Sequence, residues 1–187
     1  GPGGHVWVGT HGSGLARFDG SRWKTFTAAD GLASSMVTSV AFDRDGRLWC
    51  ATWGGGISAY EGNNLEIWTR ADGLPSDGAM AVARDRQGGV WVGTWAGASR
   101  FLAGSFTHIR LQDALRAGSV WRILEDRQGR IWLEVHGREG GAAAGLACWD
   151  GSGLRTYGTA DGLPEAQVQG LAEDLRGTLW CGTAGAG

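Results

Sequence analysis

The 187-residue sequence is poor in proline and cysteine, with 3 of each, and in tyrosine and methionine, with 2 of each. The cysteines are Cys50, Cys148 and Cys181, at spacings that support neither a zinc site nor a disulfide framework. An excess of either charge is also lacking. With 17 Lys+Arg against 19 Asp+Glu the net charge is −2 and no basic stripe is present, so nucleic acid is not an expected partner. No apolar run approaches membrane-spanning length, and no membrane insertion is expected of this segment. Neither a secretory signal nor a transit peptide is legible. Gly-rich phosphate loops, nucleophile elbows and His-rich metal motifs do not occur, so no cofactor, metal site or catalytic residue is expected. What the chain has in quantity is glycine, 35, and tryptophan, 11. Glycine at that level could indicate low complexity, but 42% hydrophobic content and a long regular period argue for a folded core.

The period is carried by Gly88-Gly89-Val90-Trp91-Val92-Gly93-Thr94, versions of which recur from end to end. Trp7-Val8-Gly9-Thr10, Trp49-Cys50-Ala51-Thr52, Trp132-Leu133-Glu134-Val135 and Trp180-Cys181-Gly182-Thr183 stand at the same phase, with steps of 42, 42, 41 and 48 residues between tryptophans. A period in the forties built of strand-like segments indicates an all-β fold, a β-propeller of four-stranded antiparallel blades with about four repeats in this chain. The repeat domain is expected to run over 1–187. Gly1 falls where later repeats carry Asp43, Asp85, Asp126 and Asp174, which gives residues 1–2 the look of a tag remnant.

Each unit is expected to begin with an inner strand such as Met36–Phe42. Its apolar positions, Val37/Val40, Ala79/Val82, Val120/Ile123 and Val168/Leu171, are three residues apart, which breaks strict alternation and predicts a bulge. A tight turn follows: Asp43-Arg44-Asp45-Gly46 and its equivalents at 85–88, 126–129 and 174–177, with Asp for the turn amides and Gly for positive φ. The second strand carries the tryptophan, and the residue after it, Cys50 or Cys181 in two copies, is expected to act as a small buried hydrophobe. The third strand ends on an aromatic column of Phe18, Tyr60, Phe101 and Trp149. The fourth holds Trp23/Phe26, Leu65/Trp68, Phe106/Ile109 and Leu154/Tyr157, and the unit closes at Asp30-Gly31-Leu32, Asp72-Gly73-Leu74, Asp113-Ala114-Leu115 and Asp161-Gly162-Leu163. From each closing Asp to the next tryptophan is 19 residues, which fixes the crossover to the following blade.

The pattern Leu/Val-Trp-x-Gly-Thr, Phe-Asp-Gly, Phe-Thr-x-x-Asp-Gly-Leu-Pro, Val-x-x-Val-x-x-Asp resembles the two-component regulator propeller repeat. Phe18-Asp19-Gly20-Ser21-Arg22-Trp23-Lys24-Thr25-Phe26-Thr27-Ala28-Ala29-Asp30-Gly31-Leu32 matches it closely, and the resemblance extends over nearly the whole chain. It implies a β-propeller from the periplasmic or extracellular sensor part of a signalling protein, with a small-molecule or carbohydrate ligand. Kinase, cyclase, transmembrane and DNA-binding regions are absent from these residues, and four units are fewer than the family's usual ring.

Length variation and unusual residues concentrate on one blade. From tryptophan to third-strand aromatic the distances are 11, 11, 10 and 17 residues, the long one containing 136–145. The position four after each tryptophan is His11, Trp53, Trp95 and His136. These rings have two readings: packing against neighbouring blades, or a rim offering stacking faces and hydrogen bonds to a ligand. Trp121 and Arg122 join that rim hypothesis, because other inner strands carry Thr38/Ser39, Met80/Ala81 and Gln169/Gly170 there. Glu134, His136 and Glu139 are an acid–histidine cluster that invites comparison with streptogramin lyases, which are also propellers with Gly-x-Ile/Leu-Trp repeats. Glu134 replaces a repeat glycine and the rest of that pattern is missing, so an enzyme is not expected.

The chain starts and ends on a second strand, which leaves three arrangements: a four-bladed monomer, part of a larger ring, or two chains completing one ring. An open arc would expose two apolar faces, so the expected partner is the chain itself, as a homodimer. A purely structural, self-assembling propeller is the alternative to a ligand sensor.

Overall fold

The computed structural model describes residues 2–61, 64–109, 111, 118–137, 145–164 and 167–185. Its strands are β1 (Val6–Gly9), β2 (Leu15–Phe18), β3 (Trp23–Phe26), β4 (Val37–Phe42), β5 (Leu48–Thr52), β6 (Gly56–Glu61), β7 (Asn64–Trp68), β8 (Ala79–Arg84), β9 (Val90–Thr94), β10 (Gly97–Leu102), β11 (Ser105–Ile109), β12 (Ser119–Glu125), β13 (Ile131–His136), β14 (Gly145–Trp149), β15 (Leu154–Tyr157), β16 (Val168–Glu173) and β17 (Leu179–Thr183). They form three complete antiparallel sheets, β4–β7, β8–β11 and β12–β15, flanked by β1–β2–β3 and by the hairpin β16–β17. Each complete sheet is a blade with its first strand innermost, and the blades stack face to face around a common concavity.

The predicted bulge is present in every inner strand. The register shifts between Val37 and Ser39, Ala79 and Ala81, Val120 and Arg122, and Val168 and Gly170. Two residues opposing one add twist where the inner strands converge, so the residue at the bulge can be aimed at the concavity.

The turn aspartate does more than terminate a strand. Asp85 Oδ1 accepts from the amides of Gln87 and Gly89 at 3.0 and 2.7 Å, while Oδ2 accepts from Trp91 Nε1 at 2.9 Å and Arg100 Nε at 2.6 Å. Asp43, Asp126 and Asp174 likewise receive the indole N–H of Trp49, Trp132 and Trp180. One carboxylate thus closes the turn and satisfies the polar atom of a tryptophan that is otherwise core. Burial alone would raise the Asp85 pKa, but hydrogen bonds from Arg100, Trp91 and Gly89 outweigh it and hold the group below the usual carboxylate range.

The repeat tryptophan faces forward, onto the next blade. Trp49 lies 5.0 Å from Phe101, and Trp91 clusters with Ile131, Leu133 and Ala147. The residues flanking it face backward: Leu48 and Cys50 pack with Leu15, Leu32 and the partly buried Trp7. Burial pushes the Cys50 thiol up to about 12, in keeping with a small hydrophobe. The closing aspartates cap a short 3-10 turn. Asp30 Oδ2 accepts from the Thr27 amide and hydroxyl, and Asp72 does the same at Thr69. Leu32 and Leu74 then enter the cores between blades. Asp113-Ala114-Leu115 lies outside the described residues.

Side chains on the outward faces of the first and last sheets lack this cover. Trp180 is 63% exposed where Trp49 and Trp91 are 1% exposed, and Val6 and Val8 stand open where Leu48 and Cys50 are buried.

Candidate functional site

The inner strands enclose a cavity of about 880 Å³ that reaches from the first sheet to the last. Gly9, His11, Thr38, Ser39, Trp53, Met80, Ala81, Trp121, Arg122, Glu134, His136 and Gln169 are among its lining residues. Five of the six rim residues expected from sequence therefore face one space. Trp95 is the exception. It is not among the lining residues and packs on the backbone of Gly78, where an added Cβ would come within 2.2 Å of the indole. It reaches the site through Trp53, edge-on at 5.0 Å.

The rings form a continuous series across three blades. Trp53 meets Trp121 edge-on at 6.4 Å, and Trp121 stacks on His136 at 5.1 Å with 19° between planes. Both packing and exposure are realised: Trp53 is 37% and Trp121 38% exposed. Each ring braces its neighbour while leaving part of its surface to the cavity. Trp121 Nε1 donates to Ser119 Oγ at 2.8 Å, which fixes the indole plane. His11 lines the opposite side, where it bridges to Met36.

Behind Trp121 lies a buried carboxylate. Glu134 is 2% exposed, and its Oε1 is 2.8 Å from His136 Nε2. The same nitrogen lies 2.8 Å from the Val168 carbonyl, an acceptor only, so Nε2 carries a proton and shares it between the two oxygens. Hydrogen bonding to Glu134, opposed by burial and aided by Val168, raises the His136 pKa above its ordinary value. Glu134 Oε2 lies 3.3 Å from Arg122 Nε, but the two are not aligned as a hydrogen bond, and that oxygen is buried without a donor. The Arg122 side chain itself remains largely exposed to the cavity.

Local packing explains why Glu134 is confined to one blade. An added Cβ at Gly93 would stand 2.6 Å from Val120 O, and one at Gly9 would stand 2.7 Å from Val37 Cγ1. Glu134 occupies the equivalent place on β13, so its junction with β16 is spaced by a carboxylate and an imidazole instead of glycine against valine. Trp121, Arg122 and Glu134 are three departures from the repeat, and they converge with the rim residue His136 on this wall. Sequence comparison between the units marked them individually, whereas Glu134's burial and its bond to His136 depend on the bulge at Val120/Arg122 and on the approach of β16. Glu139 and most of the long β13–β14 connection lie outside the described residues. Among the described residues no group of His, Cys, Asp and Glu could hold a metal ion.

On the other end of the blades, the amide of Arg86 donates to Glu125 and that of Arg127 to Glu173, each joining one blade to the next. Sequence reasoning missed these clamps.

No curated protein matches the chain. Among solved structures, it is similar to an extracellular domain ascribed to a hybrid two component system of B. thetaiotaomicron. That comparison gives 23% identity and a TM-score of 0.82, covering 96% of this chain and 25% of the other. Virginiamycin B lyase from Staphylococcus aureus is similar at 12% identity and a TM-score of 0.75, over 97% of this chain and 60% of the lyase. A structure ascribed to a gluconolactonase is similar at 16% identity and a TM-score of 0.61, over 96% of this chain and 68% of the other. The chain thus spans a quarter of the first of these structures and three-fifths of the second. At such identities the likeness establishes the propeller fold. Residues 31–54, 73–96 and 114–133 each match the two component regulator propeller. Repeat motif, blade topology and these matches agree, and the chain carries two component regulator propeller repeats.

Proposed function

We propose that this chain is a non-catalytic, ligand-binding part of an extracytoplasmic sensor, and that its ligand sits in the cavity against Trp121. The observation that carries this reading is the convergence of Trp121, Arg122 and Glu134, three departures from the repeat, with His136 on one wall. A purely structural repeat has no use for a carboxylate where packing favours glycine, since a buried charge is costly unless compensated. A site built on a repeat fold departs from the repeat where the ligand touches it. Partly exposed indole faces suit a flat apolar surface. The exposed Arg122 guanidinium suits hydroxyls at its edge, and the buried Glu134 carboxylate beside it holds that cation in place. Those preferences together describe a carbohydrate ring.

The test is titration calorimetry against a panel of neutral mono- and oligosaccharides, with tryptophan fluorescence as a second signal. A binder found this way should lose about tenfold in affinity in Trp121→Ala, roughly 1.4 kcal/mol, and at least as much in Glu134→Gln. Unchanged binding in both variants would place the ligand elsewhere; absence of any saccharide binding would remove the ligand class.

The Glu134–His136 pair also favours a second reading, general acid–base chemistry on the lyase-like fold. Because the Nε2 proton is shared between Glu134 and the Val168 carbonyl, the pair is arranged for holding a position more than for delivering a proton. Turnover of a streptogramin B that disappears in both Glu134→Gln and His136→Ala would establish the enzyme instead.

A further inference from the structure

We infer that the cavity takes an acidic saccharide, a pyranose whose ring lies on Trp121 while a carboxylate on a ring carbon pairs with Arg122. This rests on the saccharide reading of the cavity and narrows it to a charge class. Among the described residues that line the cavity, Arg122 is the one that is a cation at every physiological pH. The other titratable groups there are Glu134, His136 and, on the opposite side, His11.

Consecutive residues of a regular strand point to opposite faces, so a ring and a guanidinium from neighbouring positions do not ordinarily share a ligand. The β12 bulge removes that restriction. Its register passes from Val120 to Arg122 and leaves Trp121 as the extra residue, and both Trp121 and Arg122 line the cavity. Their Cα atoms are one peptide apart, about 3.8 Å. A stacking face and a cationic fork therefore stand side by side, as a sugar ring and a substituent one bond off it require. His136, stacked 5.1 Å behind, and the bond from Nε1 to Ser119 Oγ hold the Trp121 plane in place. At the same two positions the other inner strands bring Thr38 and Ser39, or Met80 and Ala81, to the cavity, none of them charged.

The surroundings of Arg122 leave its fork to a ligand. Its side chain is 62% exposed, and its Nε stands 3.3 Å from Glu134 Oε2 without the alignment of a hydrogen bond. No other acidic side chain among the described residues pairs with it. Glu134 lies behind the wall at 2% exposure, and its Oε1 accepts the His136 Nε2 proton at 2.8 Å. The raised pKa of His136 favours an imidazolium beside that carboxylate. One buried anion then faces two cations, and the surplus positive charge is the exposed one, Arg122. A hydroxyl takes one arm of a guanidinium. A carboxylate takes both in parallel and is drawn by the charge as well.

Titration calorimetry on the 187-residue chain tests this, with glucuronate, galacturonate and mannuronate mono- and trisaccharides, each against its own methyl ester. The ester keeps the ring and removes the charge. In at least one series the acid is expected to bind about tenfold more tightly than its ester, by a margin that shrinks with added salt. Arg122→Gln should erase that margin, and Arg122→Lys, which keeps the charge without the fork, should retain part of it. Because Arg122 is exposed, both variants should fold, with unchanged circular dichroism as the check. Acid and ester bound alike, or a margin that survives Arg122→Gln, overturns the inference and leaves the saccharide reading standing. Failure of every acid to bind also overturns it. A neutral saccharide whose binding is lost in Trp121→Ala would then preserve the saccharide reading, and the lack of one would remove both.

Discussion

Replacing Asp85 by alanine is expected to be among the most costly single changes in this chain, and Asp174→Ala among the milder, although the two residues hold the same place in the repeat. Asp85 receives four hydrogen bonds, two from turn amides, one from the Trp91 indole and one from Arg100. Trp91 is 1% exposed, so its N–H has no access to water once the carboxylate is gone. An unsatisfied buried donor costs about 1–3 kcal/mol, and hydrogen bonds to charged groups contribute about 1.5–3 kcal/mol. Loss of the indole partner, the Arg100 pair and the buried Gly89 amide's acceptor together comes to roughly 3–5 kcal/mol, since only the amide of the exposed Gln87 recovers water. Asp174 accepts from the amides of Arg176 and Thr178 and from Trp180 Nε1, but that indole is largely exposed and finds water in its place. Urea unfolding of both variants, followed by tryptophan fluorescence and circular dichroism, gives the comparison directly. Equal losses, or a greater loss for Asp174→Ala, would refute the argument that burial of the indole sets the cost.

Glycine at the position two after the tryptophan should show the same dependence on junction. Gly93→Ala places a Cβ against the Val120 carbonyl and should cost about 1–3 kcal/mol in unfolding experiments, whereas Gly182→Ala meets nothing within 4 Å and should be close to neutral. Thiol labelling should find Cys50 inert, being fully buried with its pKa pushed up to about 12, and Cys181 faster. Backbone and hydroxyl hydrogen bonds hold Asp19 and Asp150 at a pKa of about 2. Their folded pKa lies below the unfolded value of about 3.9, so their stabilisation is present above pH ~4 and is lost as pH falls toward 2. An acid titration of stability should decline across that window. His136 has the opposite sign: its raised pKa gives stabilisation that is full below pH ~6.5 and lost as pH rises through the folded value. NMR should find its imidazole titrating above the ordinary range in the wild type and lower in Glu134→Gln, where the acidic partner is gone.

Most of the fold was legible because it is periodic. Apolar and aromatic residues at matching phase in each unit gave the four strands, and the three-residue apolar spacing in the inner strand gave the bulge, since a bulge adds one residue to a local pattern. The turn aspartate was legible as a turn but not as the partner of the indole. The clue was present in a constant six-residue step from Asp43 to Trp49, Asp85 to Trp91, Asp126 to Trp132 and Asp174 to Trp180. The clamps between blades left a fainter trace, Arg86 with Glu125 and Arg127 with Glu173, because the junction of the β4–β7 and β8–β11 sheets has Arg44 and Arg84 at those positions, two cations that cannot pair.

The site divides along the same line. Rim positions could be enumerated from the repeat, and five of the six face the cavity, but which rings touch depends on blade spacing, and spacing depends on what fills each junction. Glycine against valine draws blades together at Gly9–Val37 and Gly93–Val120. Glu134 takes the glycine's place at the junction with β16, His136 bridges from Glu134 to the Val168 carbonyl, and Trp121 lies flat on the bridge. The substitution that spaces the junction is therefore the one that builds the wall of the cavity. Within the stacked faces of a repeat, one blade differs from its neighbours without breaking the stack when the altered residue fills the gap it opens. Glu134, His136 and Trp121 do so as a unit, which is why Glu134→Gly is expected to collapse the cavity wall without unfolding the propeller, a change readable as altered Trp121 fluorescence at unchanged circular dichroism.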